Sequence, residues 1–104
     1  MGQWIKACDA NDIDEEDVLA FSHNGHAYAI YRSEDSRFYA TDGLCTHEKV
    51  KLADGLVMGH IIECPKHNGR FDYRTGAGKG APICEALRTY PTRLDDDGVY
   101  IEVD

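Results

Sequence analysis

Long apolar runs are missing from this 104-residue chain. None reaches the ~20 residues that a membrane-spanning helix requires, which excludes a transmembrane protein. Positive charge is scarce as well: 11 Lys and Arg stand against 19 Asp and Glu, a net charge of −8. Such a surface repels phosphate backbones, so nucleic acid is excluded as a partner and a basic protein partner is favoured. The opening Met-Gly-Gln-Trp-Ile-Lys has no basic stretch leading into an apolar core, and Lys6 stands where a myristoylation motif needs Ser or Thr. No targeting segment is expected, and the expected location is the cytoplasm. A glycine-rich nucleotide fingerprint is absent, so NAD(P)H and flavin chemistry must belong to another protein. Pro- or Ser-rich linkers and internal repeats are absent too. Residues 1–104 therefore read as one domain, large enough for one core and too small for a second domain with its own catalytic pocket.

Helical periodicity is the last thing lacking, and short strands separated by turns take its place. Val18–Phe21 and Ala27–Tyr31 flank His23-Asn24-Gly25-His26, where Asn-Gly supplies the positive φ angles of a tight hairpin. A turn over Ser33–Ser36 leads into Phe38–Thr41. Leu56–Met58 and Ile61–Glu63 bracket Gly59-His60 as a further hairpin. Leu87–Leu94 is an extended segment, Asp95–Gly98 turns, and Val99–Val103 forms a last strand. The expectation is an all-β fold, a small antiparallel sandwich or barrel. The six carboxylates between Asp9 and Asp17 read as a solvated loop, a short helical turn or a docking surface.

Four cysteines, at 8, 45, 64 and 84, would suit two disulfides in a secreted protein, but a reducing cytosol favours metal binding. Two of them carry a pattern. Cys45-Thr46-His47 is followed, after sixteen residues, by Cys64-Pro65-Lys66-His67, so each of two loops offers one sulfur and one nitrogen. The Leu56–Glu63 hairpin between them is the kind of element that brings both loops to one end of a domain. Two inorganic readings are open. A structural zinc would take all four ligands, although zinc modules more often pair Cys-x-x-Cys with a His pair. A [2Fe–2S] cluster with two thiolates on one iron and two imidazoles on the other matches the alternating Cys/His order directly.

The residues around these loops carry a resemblance that covers nearly the whole chain. It includes Gly43–His47, Glu63–Asp72, Thr75-Gly76, Ala81-Pro82 and Leu87–Pro91. In these the chain resembles the Rieske proteins, and among them the stand-alone ferredoxins of bacterial aromatic-ring dioxygenase systems. The resemblance implies a Rieske-type antiparallel β sandwich with a cluster-binding subdomain over about 43–84 at one tip. It implies one [2Fe–2S] cluster, with Cys45 and Cys64 on the inner iron and His47 and His67 on the outer iron through their δ nitrogens. High-potential members carry two further cysteines joined as a disulfide. Here those places are filled by Val50, or a neighbour, and by Lys66, which points to the low-potential branch.

The resemblance also implies a role. The protein would be a soluble, monomeric one-electron carrier and not an enzyme. It would take electrons from a flavin-containing reductase and pass them to the Rieske centre of a terminal oxygenase. The alternatives are a Rieske-like subunit of an assimilatory nitrite reductase and a zinc-stapled interaction module without redox function.

Charge counting says what the imidazoles contribute. Two ferric ions, two sulfides and two thiolates sum to a neutral site, whereas four thiolates would leave two negative charges. An electron enters a neutral site more easily, which places the class at roughly −150 to +300 mV against about −400 mV for plant-type ferredoxins. The stretch from Cys45 to Gly80 carries +2 and the remainder −10, an acidic body with a mildly basic tip. Outside the loops, Cys8 and Cys84 are expected as buried thiols. His23, His26 and His60 are expected as exposed turn residues, and Trp4 and the tyrosines as core and sheet-surface residues. Pro82, by the resemblance, belongs to a loop that shields the cluster.

Overall fold

The structure, a computed structural model, describes residues 2–46, 49–66, 69–79 and 85–104. Among the described residues, ten strands form three antiparallel sheets: β1 (Gln3–Cys8), β2 (Asp17–His23), β3 (His26–Arg32), β4 (Phe38–Asp42), β5 (Leu56–Met58), β6 (Ile61–Glu63), β7 (Arg70–Asp72), β8 (Thr89–Tyr90), β9 (Thr92–Asp95) and β10 (Gly98–Val103). The sheet orders are β1-β10-β9, β2-β3-β4-β8 and β5-β6-β7. The all-β expectation holds. Among the described residues no helix is long and apolar enough to cross a membrane.

Local sequence explains the hairpins. Asn24 and Gly25 both adopt positive φ, at 51° and 78°. The right-handed twist of β2 and β3 therefore continues through a two-residue turn, and His23 lies opposite His26. Ser33 closes the next turn by donating from its hydroxyl to the Asp35 carboxylate and accepting the Arg37 N–H at 3.1 Å. Met58 pairs with Ile61 across the Gly59-His60 turn.

The four-stranded sheet is buried on both faces, and β3 shows why. Its residues Tyr28, Ala29, Ile30 and Tyr31 are all buried, yet alternate side chains enter different cores. Tyr28 and Ile30 meet Val99, Ile101 and Val103 of β10 together with Ile13, Ala40 and Tyr90. Ala29 and Tyr31 meet the small sheet through Val57, Ile62, Phe71 and Tyr73. A strand covered on both sides reads as a continuous apolar run, as Ala27–Tyr31 does.

The acidic segment is exposed but tethered. Ala10–Asp12 form one 3-10 turn, with the Asp9 N–H donating to the Asp12 carboxylate at 2.9 Å. Ile13 inserts into the body core, and the Arg32 guanidinium donates to the carbonyls of Ala10 and Ile13.

Candidate metal centre

Each of the two loops grows from a different sheet. The first leaves β4 of the four-stranded sheet through Gly43. A Cβ at Gly43 would lie 2.8 Å from the Tyr28 backbone nitrogen, so only glycine lets the chain lie flat on β3. Its N–H donates to the Ala27 carbonyl at 2.9 Å, and its carbonyl accepts from Leu52 at 2.9 Å. Leu44 bridges Lys51, the Cys45 N–H donates to the Val50 carbonyl at 2.9 Å, and the Lys49 N–H returns to the Cys45 carbonyl at 3.0 Å. Val50 and Lys49 are thus both bonded back onto Cys45. Lys49 takes a φ of 36° there.

The second loop leaves β6 of the small sheet. The Cys64 N–H donates to the Gly69 carbonyl at 2.6 Å, immediately beyond the Glu63–Arg70 pair. The Arg70 Nε donates to Glu63 Oε2 at 2.8 Å on the same rung. Thr46 ties the first loop to a third segment, its hydroxyl donating to the Glu85 carbonyl at 2.9 Å.

Both cysteines are buried in the same core. Cys45 is 0% exposed and Cys64 1%, and both belong to the core group formed by Leu52, Val57, Ile62, Phe71, Tyr73 and Leu87. Apolar surroundings disfavour a bare thiolate, whereas a metal ion that takes the charge makes the same surroundings favourable. Two thiols buried in one core are a donor set that fits the inner iron of a [2Fe–2S] cluster. His47 and His67, the other two expected ligands, lie outside the described residues, as do Pro82 and Cys84.

Cys8 is the expected buried thiol. It sits in the other core, and burial, reinforced by Asp12 and Asp9, pushes it up to about 11. Of the three histidines expected as exposed turn residues, His26 is exposed, whereas His23 and His60 are half-buried against Phe21 and Tyr73. His26 carries partners all the same. Its Nε2 lies 2.7 Å from Asp42 Oδ1, and the Tyr90 hydroxyl donates to the same oxygen. Burial first, and then this bond to Asp42, hold the Tyr90 hydroxyl well above the usual phenol range. Local sequence gave no signal for the pairing, because Asp42 and Tyr90 reach His26 only through sheet registry.

Asp72 and Arg74 close the far side of the small sheet. Arg74 donates from Nε and from its backbone N–H to Asp72 Oδ1 and from Nη2 to Oδ2, which holds the Asp72 carboxyl below the usual carboxylate range.

Comparison with known proteins adds to this geometry. A family model described as the Rieske [2Fe-2S] domain matches residues 3–91. The ferredoxin component of the naphthalene 1,2-dioxygenase system of Pseudomonas putida is 42% identical over 101 residues, covering 97% of this chain and 96% of its own. The solved Sphingomonas yanoikuyae B1 ferredoxin superposes with a TM-score of 0.91 at 35% identity, over 98% of this chain and all of its own. A ferredoxin chain in a complex of reduced oxygenase and oxidised ferredoxin of carbazole 1,9a-dioxygenase superposes with a TM-score of 0.88 at 31% identity, over 94% of this chain and 91% of its own.

Proposed function

Because this chain belongs to the Rieske [2Fe–2S] family, we propose that it is the ferredoxin component of a multicomponent ring-hydroxylating oxygenase, carrying one electron at a time to the oxygenase. The observation that carries the reading is the joint burial of Cys45 and Cys64, each donating its N–H to a later carbonyl of its own loop. The matched relatives, one a ferredoxin component and the other a ferredoxin, are covered almost end to end and support it.

The assignment of ligands follows the loops. Cys45 and Cys64 hold the inner iron through sulfur, and His47 and His67 hold the outer iron. Residues 1–104 form one domain, and about 43–84 form its cluster-binding part. When bound, the cluster supplies a site that accepts a single electron and releases it again.

The chain's own residues do the rest. Leu52, Val57, Ile62 and Phe71 exclude water from the thiolate side and keep charge changes there uncompensated by solvent. The backbone bonds from Cys45 to Val50 and from Cys64 to Gly69 fix the backbone at the two cysteines, which limits reorganisation there. A separate flavin-containing reductase supplies the electrons, since no nucleotide fingerprint occurs in this chain. Both exchanges take place in the cytoplasm.

Visible absorption tests the reading. The purified protein should be reddish brown, carry two irons and two acid-labile sulfides, and bleach on adding dithionite. A colourless protein with one zinc and no labile sulfide would overturn it in favour of a stapled interaction module.

A further inference from the structure

Among the described residues, four that are not glycine adopt positive φ: Glu16, Asn24, Ser36 and Lys49. Asn24 is the ordinary turn choice, because a short amide side chain tolerates this region. Glu16, at 56°, has no such tolerance, and such a backbone persists only where surrounding contacts over-determine it.

Those contacts join two sheets. Glu16 precedes β2 of the four-stranded sheet, and its Oε2 accepts the N–H of Gly59, at the tip of the β5–β6 hairpin, at 2.8 Å. Gly59 is the first turn residue, where the N–H points away from the hairpin. The same turn is held from its other side: the Tyr73 hydroxyl donates to the Gly59 carbonyl at 2.6 Å, and the Tyr73 N–H to the His60 carbonyl at 3.1 Å. Next to Glu16, Glu15 Oε2 accepts from the Ser36 hydroxyl at 2.6 Å, and Ser36 Oγ accepts from the Arg32 guanidinium at 3.1 Å. The loop that presents Glu16 is therefore braced from β3 and the turn that follows it.

The position of this joint gives it a function. Cys45 is delivered by the four-stranded sheet and Cys64 by the small sheet, so the relation between the thiols depends on how the two sheets lie. At the loop end, Leu52, in the 3-10 turn that leads into β5, donates to the Gly43 carbonyl beyond β4. Five residues before Cys64, at most about 16 Å of chain at about 3.3 Å each, the Gly59 turn lies at the other end of β6. We propose that Glu16 is a positioning residue: its carboxylate, presented by a left-handed backbone, clamps the Gly59-His60 turn. The clamp thereby sets the pose of the sheet that delivers Cys64 against the sheet that delivers Cys45. The inference rests on the ligand assignment above and adds to it a control point distant from the ligands.

Three variants of the holoprotein separate the acceptor from the charge and from the backbone. Glu16→Gln, Glu16→Ala and Glu16→Gly all remove the same charge, only Gln keeps an acceptor oxygen, and only Gly relieves the positive φ. Amide hydrogen exchange over residues 56–63 and the widths of the g features in the EPR spectrum of the dithionite-reduced protein are the readouts. Exchange at Gly59 should rise about tenfold or more in Ala and Gly, with broadened g features reporting a spread of cluster geometries. Gln should stay within about twofold of the parent, with parental widths. A Gly variant indistinguishable from the parent, or a Gln variant that behaves as Ala does, overturns the clamp. Faster exchange with unchanged EPR widths confines Glu16 to the turn and overturns its role in posing Cys64. A parent protein without a reduced-state EPR signal refutes the ligand assignment instead, and the exchange data then decide the clamp by themselves.

Discussion

The ring of Tyr31 lies parallel to that of Tyr73, with centroids 4.5 Å apart and 3° between the planes. Tyr31 belongs to the middle sheet and Tyr73 follows the last strand of the small one, so this stack is the buried counterpart of the joint at Glu16. Both rings are 0% exposed, and both hydroxyls are used, Tyr31 with Thr41 Oγ1 at 2.9 Å and Tyr73 with Gly59.

Removing the ring and removing the hydroxyl should therefore have different costs. Tyr73→Leu loses the stack and leaves a cavity, and should destabilise the protein by roughly 3 kcal/mol. Tyr73→Phe loses only the bond to Gly59 and should cost about 1 kcal/mol. Urea denaturation of the two variants beside the parent checks both values, and equal costs would mean that the stack adds nothing to the hydroxyl.

Acid should weaken the small sheet through Asp72. Its carboxyl is depressed in the fold, chiefly by the hydrogen bonds from Arg74 and despite partial burial. Its contribution is thus complete above the ordinary value of 3.8 and is lost as pH falls through the lower folded value. The stability gap between parent and Asp72→Asn should be constant from pH 7 to about pH 5 and close below pH 4. A gap that persisted unchanged to pH 2.5 would show that the carboxylate's charge is not what Arg74 recognises.

Ligand exchange tests the charge count at the cluster. In His47→Cys or His67→Cys protein that assembles a cluster, one imidazole is replaced by a thiolate and the site becomes one unit more negative. The reduction potential should fall, toward the values of all-cysteine ferredoxins. Protein-film voltammetry reads it directly, and an equal or higher potential would show that ligand charge does not set the value.

Partner encounter should depend on salt. Asp9 and Asp12 share a concave surface with Asp95, Asp96 and Asp97, which concentrates negative charge on the body. Stopped-flow electron transfer with the reductase and with the oxygenase should slow for at least one partner between low and high ionic strength, as screening shortens the reach of these charges. Rates indifferent to salt with both partners would exclude electrostatic guidance.

Much of this architecture is legible from local pattern. Asn24-Gly25 and Gly59-His60 mark their hairpins because turn chemistry is local, and Ala27–Tyr31 announces a doubly covered strand by its unbroken apolar run. Two strands escape such reading. In β1, Trp4 and Lys6 alternate with Ile5 and Ala7, but Lys6 and Cys8 flank a register shift and the partner is β10, at the other end of the sequence. In β7 three residues, Arg70–Asp72, are too few to show a period. The cysteine pattern points to Cys45 and Cys64, and the fold buries them together. The Glu16 joint leaves no local trace: a carboxylate in an acidic run reads as solvated, and its partner is an amide forty-three positions away.

The pairing of Gln3 with Val103 has a consequence for how the molecule is made. Closing a loop of that length is entropically costly and must be repaid by contacts formed at the moment of closure. During synthesis, β1 emerges before the other strands and waits, its Ile5 and Ala7 uncovered, while the segments that carry Cys45 and Cys64 leave the ribosome. Only when β10 emerges does it slot between β1 and β9, cover Ile30 with Ile101, and complete the body core. A chain halted before Gly98 thus has both cysteines in hand but no finished body behind them, and its bare strand edges invite aggregation or proteolysis.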